Sequence, residues 1–187
     1  MDKHTIEHDA LLAKQAARGD DAAFEALMVR HQQRIYNISL RMMGNRQDAL
    51  EASQEAMIKI WRNLGSFKGN SAVSTWIYRV TVNACKDILR KRKIPQVSVE
   101  TLHEQGFDIA DGDAQYDSTL AAEDSIARAL MQLPTDRREV LVLRDIHGFS
   151  YQEIAQMLSC PLGTVRSRLS RARKELKAIL SSSEQNR

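Results

Sequence analysis

The chain has 187 residues, of which 43% are hydrophobic, and its formal net charge is +3. This length fits one large domain or two small ones, and the apolar fraction is sufficient for buried cores. The first thirty residues do not resemble a signal peptide, and no stretch approaches the roughly 18 apolar residues of a membrane span. We therefore expect a soluble, cytoplasmic protein.

The charge is distributed unevenly along the chain. Residues 1–94 carry 16 Lys or Arg and 10 Asp or Glu, residues 95–124 carry 8 acidic and no basic residues, and residues 125–187 carry 11 basic and 6 acidic ones. Two basic blocks joined by an acidic segment indicate two nucleic-acid-facing domains whose linker is kept away from phosphates by its own charge. We predict domains at 1–94 and 125–187 and a flexible acidic linker at 95–124, with a short extended piece at 97–99.

The first block is periodic at helical spacing. A short helix over residues 6–17 precedes a second helix, which Asp20 or Asp21 caps and Gly44 ends; Asn45 then caps a third. This third helix has an inward apolar stripe and an acidic strip, and a solvated face is the ordinary interpretation of such a strip. The stripe is Ala49, Ala52, Ala56, Ile60 and Leu64, and the strip is Asp48, Glu51 and Glu55.

A loop at residues 66–73, SFKGNSAV, leads into a helix that ends in the basic cluster RKRK at 90–93. Ser74 is the expected N-cap of this helix. Aromatic rings offer stacking faces to unstacked bases, and basic side chains hold the strand. Trp76 and Tyr78 are therefore candidates both for DNA contact and for the core, with Tyr78 the weaker DNA candidate. His31, in the second helix, is expected at the edge of the core rather than as a ligand.

Residues 150–176 have the pattern of a helix-turn-helix. Ser150 and Glu153 form a capping box, residues 159–160 break the helix, and Pro161 suits the first position of a second helix. The second helix has an apolar stripe of Leu162, Val165, Leu169, Ala172 and Leu176. Its opposite face is basic and small, and comprises Gly163, Arg166, Ser167, Ser170, Arg171, Arg173, Lys174 and Lys177. Such a face fits base edges and phosphates, although an ordinary helical hairpin with a solvated basic face is the alternative.

Other chemistry-bearing residues form no catalytic or metal-binding pattern. Cys85 and Cys160 have no Cys or His partner at metal-ligand spacing, so we expect buried, reduced thiols; a redox role would need them to meet across the two domains. The sequence contains no Gly-rich phosphate loop and no nucleophile with a base at motif spacing. We predict that the protein is not an enzyme and has no metal or cofactor.

Two segments resemble the extracytoplasmic-function sigma factors, the smallest members of the bacterial sigma-70 family. The segment DALEASQEAMIKIWRNLGSFKGNSAVSTWIYRVTVNACKDILRKRK, residues 48–93, resembles their region 2. The segment LPTDRREVLVLRDIHGFSYQEIAQMLSCPLGTVRSRLSRARKEL, residues 133–176, resembles region 4. Order and spacing also agree, and the resemblance is closest to the sigma-E type in SFKGNSAVSTWIYRVTVNACK and CPLGTVRSRLSRAR.

The apolar spacing before the helix-turn-helix predicts two more helices. The first begins at residue 125, and the second runs from about residue 135 to 146.

The resemblance implies the partners of each face. The acidic helix would dock on the β′ clamp helices of core RNA polymerase through Asp48, Glu51, Gln54 and Glu55, and region 4 would contact the β flap. The −10 promoter element would be melted and a flipped base captured by Phe67, Lys68, Gly69, Asn70, Ser71, Ser74, Trp76, Val80, Asn83 and Lys86. The −35 element would meet Gly163, Thr164, Arg166, Ser167, Ser170, Arg171, Arg173 and Lys174.

The expected architecture is all-α, with two small helical domains joined by the acidic linker. The expected function is to give core polymerase its promoter specificity, in a stress or envelope response, under control of an anti-sigma factor that is possibly membrane-bound. No small-molecule substrate is implied. The alternative is a free-standing helix-turn-helix regulator whose front half senses a ligand or partner, for which strands or a pocket-like mix would be usual. A hydrolase or transferase has no residues to carry its chemistry.

Overall fold

The computed structural model describes residues 3–67, 69, 71–93 and 118–185, and all regular structure within them is helical. A 3₁₀ turn, Leu64–Ser66, follows the third helix, and a π-helical segment, Val142–Ile146, continues the sixth. None of the described helices is long and apolar enough to cross a membrane. The helices are α1 Lys3–Ala16, α2 Asp21–Met43, α3 Arg46–Asn63, α4 Val73–Lys93, α5 Ser118–Gln132, α6 Thr135–Leu141, α7 Tyr151–Leu158 and α8 Leu162–Gln185.

Several helix ends lie where local sequence signals predict them. The side chains of Asp20 and Asn45 each accept a hydrogen bond from the backbone N–H three residues later, at 3.0 and 2.9 Å. Gly44 ends α2 with a φ of 85°, in the left-handed region that glycine adopts without strain. Ser150 and Glu153 complete the capping box, with the Ser150 N–H donating to Glu153 Oε2 at 2.8 Å. These ends depend on neighbouring residues only, which is why the sequence predicts them.

Two helix starts differ from the prediction, by two residues for α4 and by one for α8. The helix α4 begins at Val73, because the carbonyl of Ala72 accepts its first hydrogen bond. Ser74 therefore lies inside the first turn with a buried side chain, and its assignment as the N-cap is wrong. The helix α8 begins at Leu162, one residue after Pro161. Local sequence signals specify the first residue of a helix only to within one or two positions, because neighbouring residues can serve equally well as the N-cap.

The helix predicted to begin at residue 125 begins earlier, at Ser118. The added turns contain the sequence STLAAED, which includes the good helix formers Leu, Ala and Glu. The first seven residues of α5 thus come from the stretch assigned to the acidic linker. Residues 94–117, including the predicted extended piece at 97–99, lie outside the described residues.

The helices α1 to α4 form an N-terminal bundle around α2, which packs against the other three. The alanine stripe of α3 is buried as predicted, and its small side chains allow α3 to lie close to α2. The core of this bundle is completed by larger apolar side chains. These include Leu27, Ile35, Ile38 and Met42 from α2, Ile60 from α3, and Ile77, Val82 and Ile88 from α4.

A polar network lies inside the N-terminal bundle and joins three of its helices. His31 Nε2 lies 2.9 Å from Asp9 Oδ2, and His31 Nδ1 lies 2.6 Å from the hydroxyl of Tyr78. Asp9 Oδ1 accepts from Arg30 Nε at 2.7 Å. Burial lowers the pKa of His31 and raises the pKa of Tyr78 to about 12. His31 and Tyr78 are therefore core residues, and Tyr78 is not available for stacking on DNA.

The helices α5 to α8 form a C-terminal bundle in which α8 packs against α5, α6 and α7. The predicted apolar stripe of α8 faces this core, with Val165, Leu169 and Ala172 buried and Leu162 and Leu176 partly buried. The turn between α7 and α8 passes through Ser159, which has a φ of 51°. The predicted helix-turn-helix is thus present. The two bundles also pack directly on each other, α2 against α5 and α6, and α4 against α7.

We expect Ser150→Ala to lower the free energy of unfolding by about 1 kcal/mol, because the capping box at the start of α7 loses its hydroxyl. Thermal and urea unfolding followed by circular dichroism would measure the change. Ser182→Ala is the matched control: Ser182 is exposed within α8 and bonds only to the carbonyl of Ala178, so its replacement should be neutral. Equal effects of the two replacements would contradict a capping role for Ser150.

Candidate nucleic-acid interface

A polar groove of about 510 Å³ runs along the side of α4 and is called the α4 groove here. Three of the residues predicted to meet the −10 element, Trp76, Val80 and Asn83, contribute to it. The residues lining the groove are Lys59, Asn63, Ser66, Trp76, Arg79, Val80, Asn83, Asp87 and Ser159. Arg79 and Asp87 were not predicted as residues of this site. Each lies four residues from Asn83 along α4, and this spacing could have indicated that they share its face. Lys59 and Asn63 come from α3, which sequence spacing does not place beside α4.

The loop before α4 supplies the other predicted −10 residues. The Phe67 and Trp76 rings contact each other, with centroids 5.6 Å apart. Trp76 is only 6% exposed, so it forms the base of the groove rather than a projecting platform. Ser71 is half-buried, and Gly69 is exposed with a φ of 73°. Lys68 and Asn70 lie outside the described residues.

Two of the charged side chains that line the α4 groove, Lys59 and Asp87, are paired with each other. Lys59 Nζ lies 2.9 Å from Asp87 Oδ2 and 3.4 Å from Glu55 Oε1. The hydrogen bond to Asp87 raises the pKa of Lys59, and the same bond lowers the pKa of Asp87. Lys86 Nζ lies 3.1 Å from Glu139 Oε2, which belongs to the C-terminal bundle. A strand that binds here must therefore displace or join existing ion pairs.

The predicted polymerase-binding strip lies along α3. Asp48 and Glu51 both pair with Arg92 at the end of α4, and the hydrogen bond from Arg92 lowers the pKa of Asp48. Glu55 pairs with Lys59, and Gln54 is exposed. The sequence pattern did not indicate the role of Arg92, which lies 44 residues away from Asp48.

Large apolar side chains are exposed beside this strip. Leu50, Ile58 and Trp61 are each nearly half exposed, and their spacing along α3 places them on one face. An acidic strip alone is usually a solvated surface, but an adjoining row of exposed apolar side chains is typical of a protein-binding surface. The acidic strip and these apolar side chains together are called the α3 face here. This face is better suited to a macromolecular partner than to water alone.

The predicted −35 face lies on the outside of α8. Gly163, Arg166, Ser167, Ser170, Arg171, Arg173 and Lys174 are exposed, and Thr164 is half-buried. Arg173 donates to Asp145 through both Nε and Nη2, at 2.9 and 2.5 Å, and this hydrogen bond raises its pKa. Arg166 and Arg171 form no ion pair with any residue in the described part of the chain. They are accordingly the arginines of this face best placed to meet DNA.

The cysteines are free thiols in separate environments. Cys85 is buried, lies 3.7 Å from Ser39 Oγ, and has its pKa raised to about 11 by burial. Cys160 is only half-buried, because it lies at the turn before α8, so the expectation of burial is confirmed for Cys85 and wrong for Cys160. Within the described residues, no group of three or more His, Cys, Asp or Glu side chains could hold a metal ion.

Comparison with known families gives matches to both bundles. Residues 27–94 match the family model described as Sigma-70 region 2, and residues 123–176 match the one described as Sigma-70, region 4. The first match covers most of α2 and all of α3 and α4, including the α3 face and every residue of the α4 groove except Ser159. The second covers the helix-turn-helix and the −35 face.

Individual proteins match over almost the whole chain. The RNA polymerase sigma-H factor of Pseudomonas aeruginosa is 37% identical over 94% of this chain and 95% of its own. The ECF RNA polymerase sigma-E factor of Escherichia coli K12 is 35% identical over 90% of this chain and 92% of its own. The solved structure of CnrH in complex with the cytosolic domain of CnrY superposes with a TM-score of 0.69 at 27% identity, covering 94% of this chain and 98% of CnrH.

These matches run through both bundles in the same order, so an unrelated sensing front half is excluded. The two promoter-reading regions expected from the sequence are those that the family models recognise, on the helices that carry the α4 groove and the basic face of α8. This chain belongs to the sigma-70 family, in its extracytoplasmic-function group.

Proposed function

We propose that this chain binds core RNA polymerase and directs it to open and transcribe from specific promoters, without itself catalysing a reaction or needing a cofactor or small-molecule substrate. One observation carries the proposal. The two family regions present separate polar faces, the α4 groove and the outer face of α8, while exposed apolar side chains beside the acidic strip of α3 offer a surface to a third partner. Such a division fits a factor that holds two DNA elements and one protein at the same time.

The proposed division of labour follows the domains at 1–94 and 125–187, with the stretch at 95–124 as the connection. The α3 face would bind the β′ clamp helices through Asp48, Glu51, Gln54 and Glu55. Leu50, Ile58 and Trp61 add an apolar contribution to this face, because burying their exposed surface against a partner is favourable. The C-terminal bundle would reach the β flap. All of these partners lie in the cytoplasm, which is where we place the protein.

The proposed ligand of the α4 groove is the −10 element as a single strand, with one base turned out of the stack. Asn83 is exposed in the α4 groove and offers both a donor and an acceptor to a base edge, and Val80 offers apolar contact. Lys86 would neutralise a phosphate. Extracting a base costs a few kcal/mol, which a fitted pocket offsets for the right base only. Recognition and melting would thus be one step.

An anti-sigma factor is the proposed regulator, acting in a stress or envelope response. Its support comes from similar proteins whose structures were solved with a partner. One is the sigma factor RpoE of Bartonella quintana in complex with the anti-sigma factor NepR, which shares the fold with a TM-score of 0.64 at 24% identity. A protein that covers the α3 face or the α4 groove would prevent polymerase or DNA from binding there.

The proposed function predicts new transcription start sites. Core polymerase with this chain should initiate on genomic DNA of the source organism at positions where core alone is silent, because the two DNA-binding faces select promoter elements. Run-off transcription followed by sequencing of RNA 5′ ends would map these positions. Templates with scrambled −35 and −10 elements are the control, and identical transcripts with and without the protein would contradict the proposal.

A further inference from the structure

The helix α6 continues into a π-helical segment, Val142–Ile146, instead of another regular α-helical turn. The N–H of His147 donates to the carbonyl of Val142, five residues earlier, at 3.1 Å. Short π-helical segments are rare, and they often occur at functional sites. The wider turn changes the direction in which the next side chains point, compared with a continued α-helix. Here those side chains include the charged pair Arg144 and Asp145, which follow two buried apolar residues.

Arg144 holds the start of α7. Its Nη1 donates to the carbonyl of Phe149 at 2.8 Å, and its guanidinium lies over the ring of Tyr151, 4.9 Å from the centroid. Phe149 and Tyr151 are the residues on either side of Ser150, which caps α7. Contacts before and after the cap fix the direction in which the chain enters α7. The first helix of the helix-turn-helix is thereby attached to the π-helical segment.

Asp145 holds α8 through Arg173. The Nε and Nη2 atoms of Arg173 donate to the two carboxylate oxygens of Asp145, at 2.9 and 2.5 Å. A bidentate pair of this kind fixes the plane of the guanidinium as well as its distance. The hydrogen bond to Asp145, with a smaller contribution from Tyr151, raises the pKa of Arg173. Tyr151 thus contacts both arginines, and the four residues are called the π clamp here: Arg144, Asp145, Tyr151 and Arg173.

The π clamp acts on the stripe of α8 that belongs to the proposed −35 face. Arg173 lies seven residues after Arg166, so the two side chains project in nearly the same direction, about 10 Å apart along the helix axis. The apolar stripe of α8 fills the core, but apolar contacts are not directional. A bidentate hydrogen-bonded pair is directional, so it limits rotation of α8 about its own axis. This rotation determines which bases Arg166 and its neighbours reach.

The same pair makes Arg173 less available to DNA. A guanidinium has five N–H donors, and two of those of Arg173 are directed at Asp145. A phosphate that approached Arg173 would also meet the negative charge of this carboxylate. Arg166 and Arg171 form no such ion pair within the described part of the chain. Arg173 is therefore less suited than these two arginines to neutralise a phosphate.

We propose that Arg173 is a positioning residue for −35 recognition and not a DNA contact. The π clamp holds it, and so fixes the rotation at which α8 presents Arg166 and Arg171 to the DNA. This role differs from the direct contact that the family resemblance implied for Arg173. The proposal deepens the proposed function and rests on it, because it takes the outer face of α8 as the −35 face. Sequence discrimination then depends on Asp145, although DNA phosphates repel its charge.

Two replacements break the π clamp from either side. Asp145→Asn removes the charge and one acceptor while keeping the size of the side chain. Arg173→Lys keeps the positive charge but lacks the planar fork that a bidentate pair needs. Glu175→Gln is the matched control, because it breaks the Arg137–Glu175 ion pair, which also joins α6 to α8 but includes no residue of α7.

The measurement is the −35 preference of the polymerase complex. Each variant is assembled with core polymerase and bound to promoter fragments that are randomised at the −35 element, and the bound fragments are sequenced. Dissociation constants for the preferred fragment and for a scrambled one then give the specificity ratio of each complex. Circular dichroism checks that each variant is folded, and Arg173→Lys keeps the test decisive if Asp145→Asn does not fold.

We expect Asp145→Asn and Arg173→Lys each to lower the specificity ratio about fivefold, at the lower end of the effect of losing a base contact. The double variant should lose no more than either single variant, because the two residues act as one unit. Affinity for the scrambled fragment should not fall in Asp145→Asn, which loses a charge that repels phosphates. Glu175→Gln should leave the specificity ratio unchanged.

An unchanged ratio in Arg173→Lys would overturn the proposal, because a phosphate contact needs the charge of this side chain but not its bidentate pair. Additive losses in the double variant, or an equal loss in Glu175→Gln, would overturn it as well. If the wild-type complex shows no −35 preference, the proposed function itself fails. A wild-type preference that both clamp variants retain overturns this inference alone.

Discussion

Arg166→Ala and Arg171→Ala are each expected to weaken sequence-specific binding at the −35 element by about ten- to a hundredfold. The reason is that an arginine hydrogen-bonded to a base edge contributes about 1–3 kcal/mol of discrimination. Both side chains are exposed on the outer face of α8 and are not engaged by a carboxylate of the described chain. Footprints of the polymerase complex on −35 variants would measure the loss, and permanganate reactivity would show whether −10 opening persists in the complexes that form.

Arg173→Ala gives an internal comparison on the same face. Its guanidinium already binds Asp145 through two hydrogen bonds, so its removal should weaken −35 binding less. Lys14→Ala, an exposed cation of α1, controls for net charge. If Arg166→Ala and Arg171→Ala reduce binding equally on all sequences and lower its salt dependence, these residues hold phosphates and do not read bases.

Asp9→Ala is expected to lower the free energy of unfolding of the N-terminal bundle by about 2–4 kcal/mol. Its buried carboxylate binds both His31 and Arg30, and removing it leaves the His31 Nε2 group unsatisfied in the core. Trp61 and Trp76, the two tryptophans of the chain, both belong to this bundle. Urea unfolding followed by tryptophan fluorescence therefore reports on it directly.

Glu7→Ala is the matched control for Asp9→Ala, because Glu7 is an exposed carboxylate of the same helix and its loss should change stability by less than about 0.5 kcal/mol. The pKa of His31 provides a second readout. Asp9 raises this pKa against the larger, opposite effect of burial, so its removal should lower the pKa further. Equal unfolding free energies for the two variants, or an unchanged His31 pKa, would contradict the role given to the network.

The acidic strip on α3 could be interpreted only once the exposure of the residues beside it was known. The acidic residues of α3 are visible in the sequence, but a strip of carboxylates predicts a solvated face as readily as an interface. The exposure of Leu50, Ile58 and Trp61 beside it distinguishes these alternatives, and exposure depends on which face of α3 packs on α2. Arg92, which pairs with Asp48 and Glu51, lies at the C-terminal end of α4, so the sequence pattern of α3 alone does not predict these pairs.

Sequence patterns were sufficient to predict the all-α class, the main helix ends and the inward stripes of α3 and α8. Each of these follows from interactions within a few residues: Gly44 ends a helix through its own backbone freedom, and Ser150 caps one through a residue three positions on. Apolar spacing likewise needs only helical geometry. The family resemblance then extended these local features to two promoter-reading regions.

The packing of the helices, and not the sequence pattern, shows which polar and aromatic side chains are bound within the fold. Tyr78 is buried against His31 from another helix, Arg173 is paired with Asp145, and Lys86 is held by Glu139 of the other bundle. Each of these partners is at least 28 residues away in the chain. Ion pairs and buried hydrogen bonds form wherever packing brings complementary groups together, and helical periodicity specifies the face on which a residue lies but not the partner that the face meets.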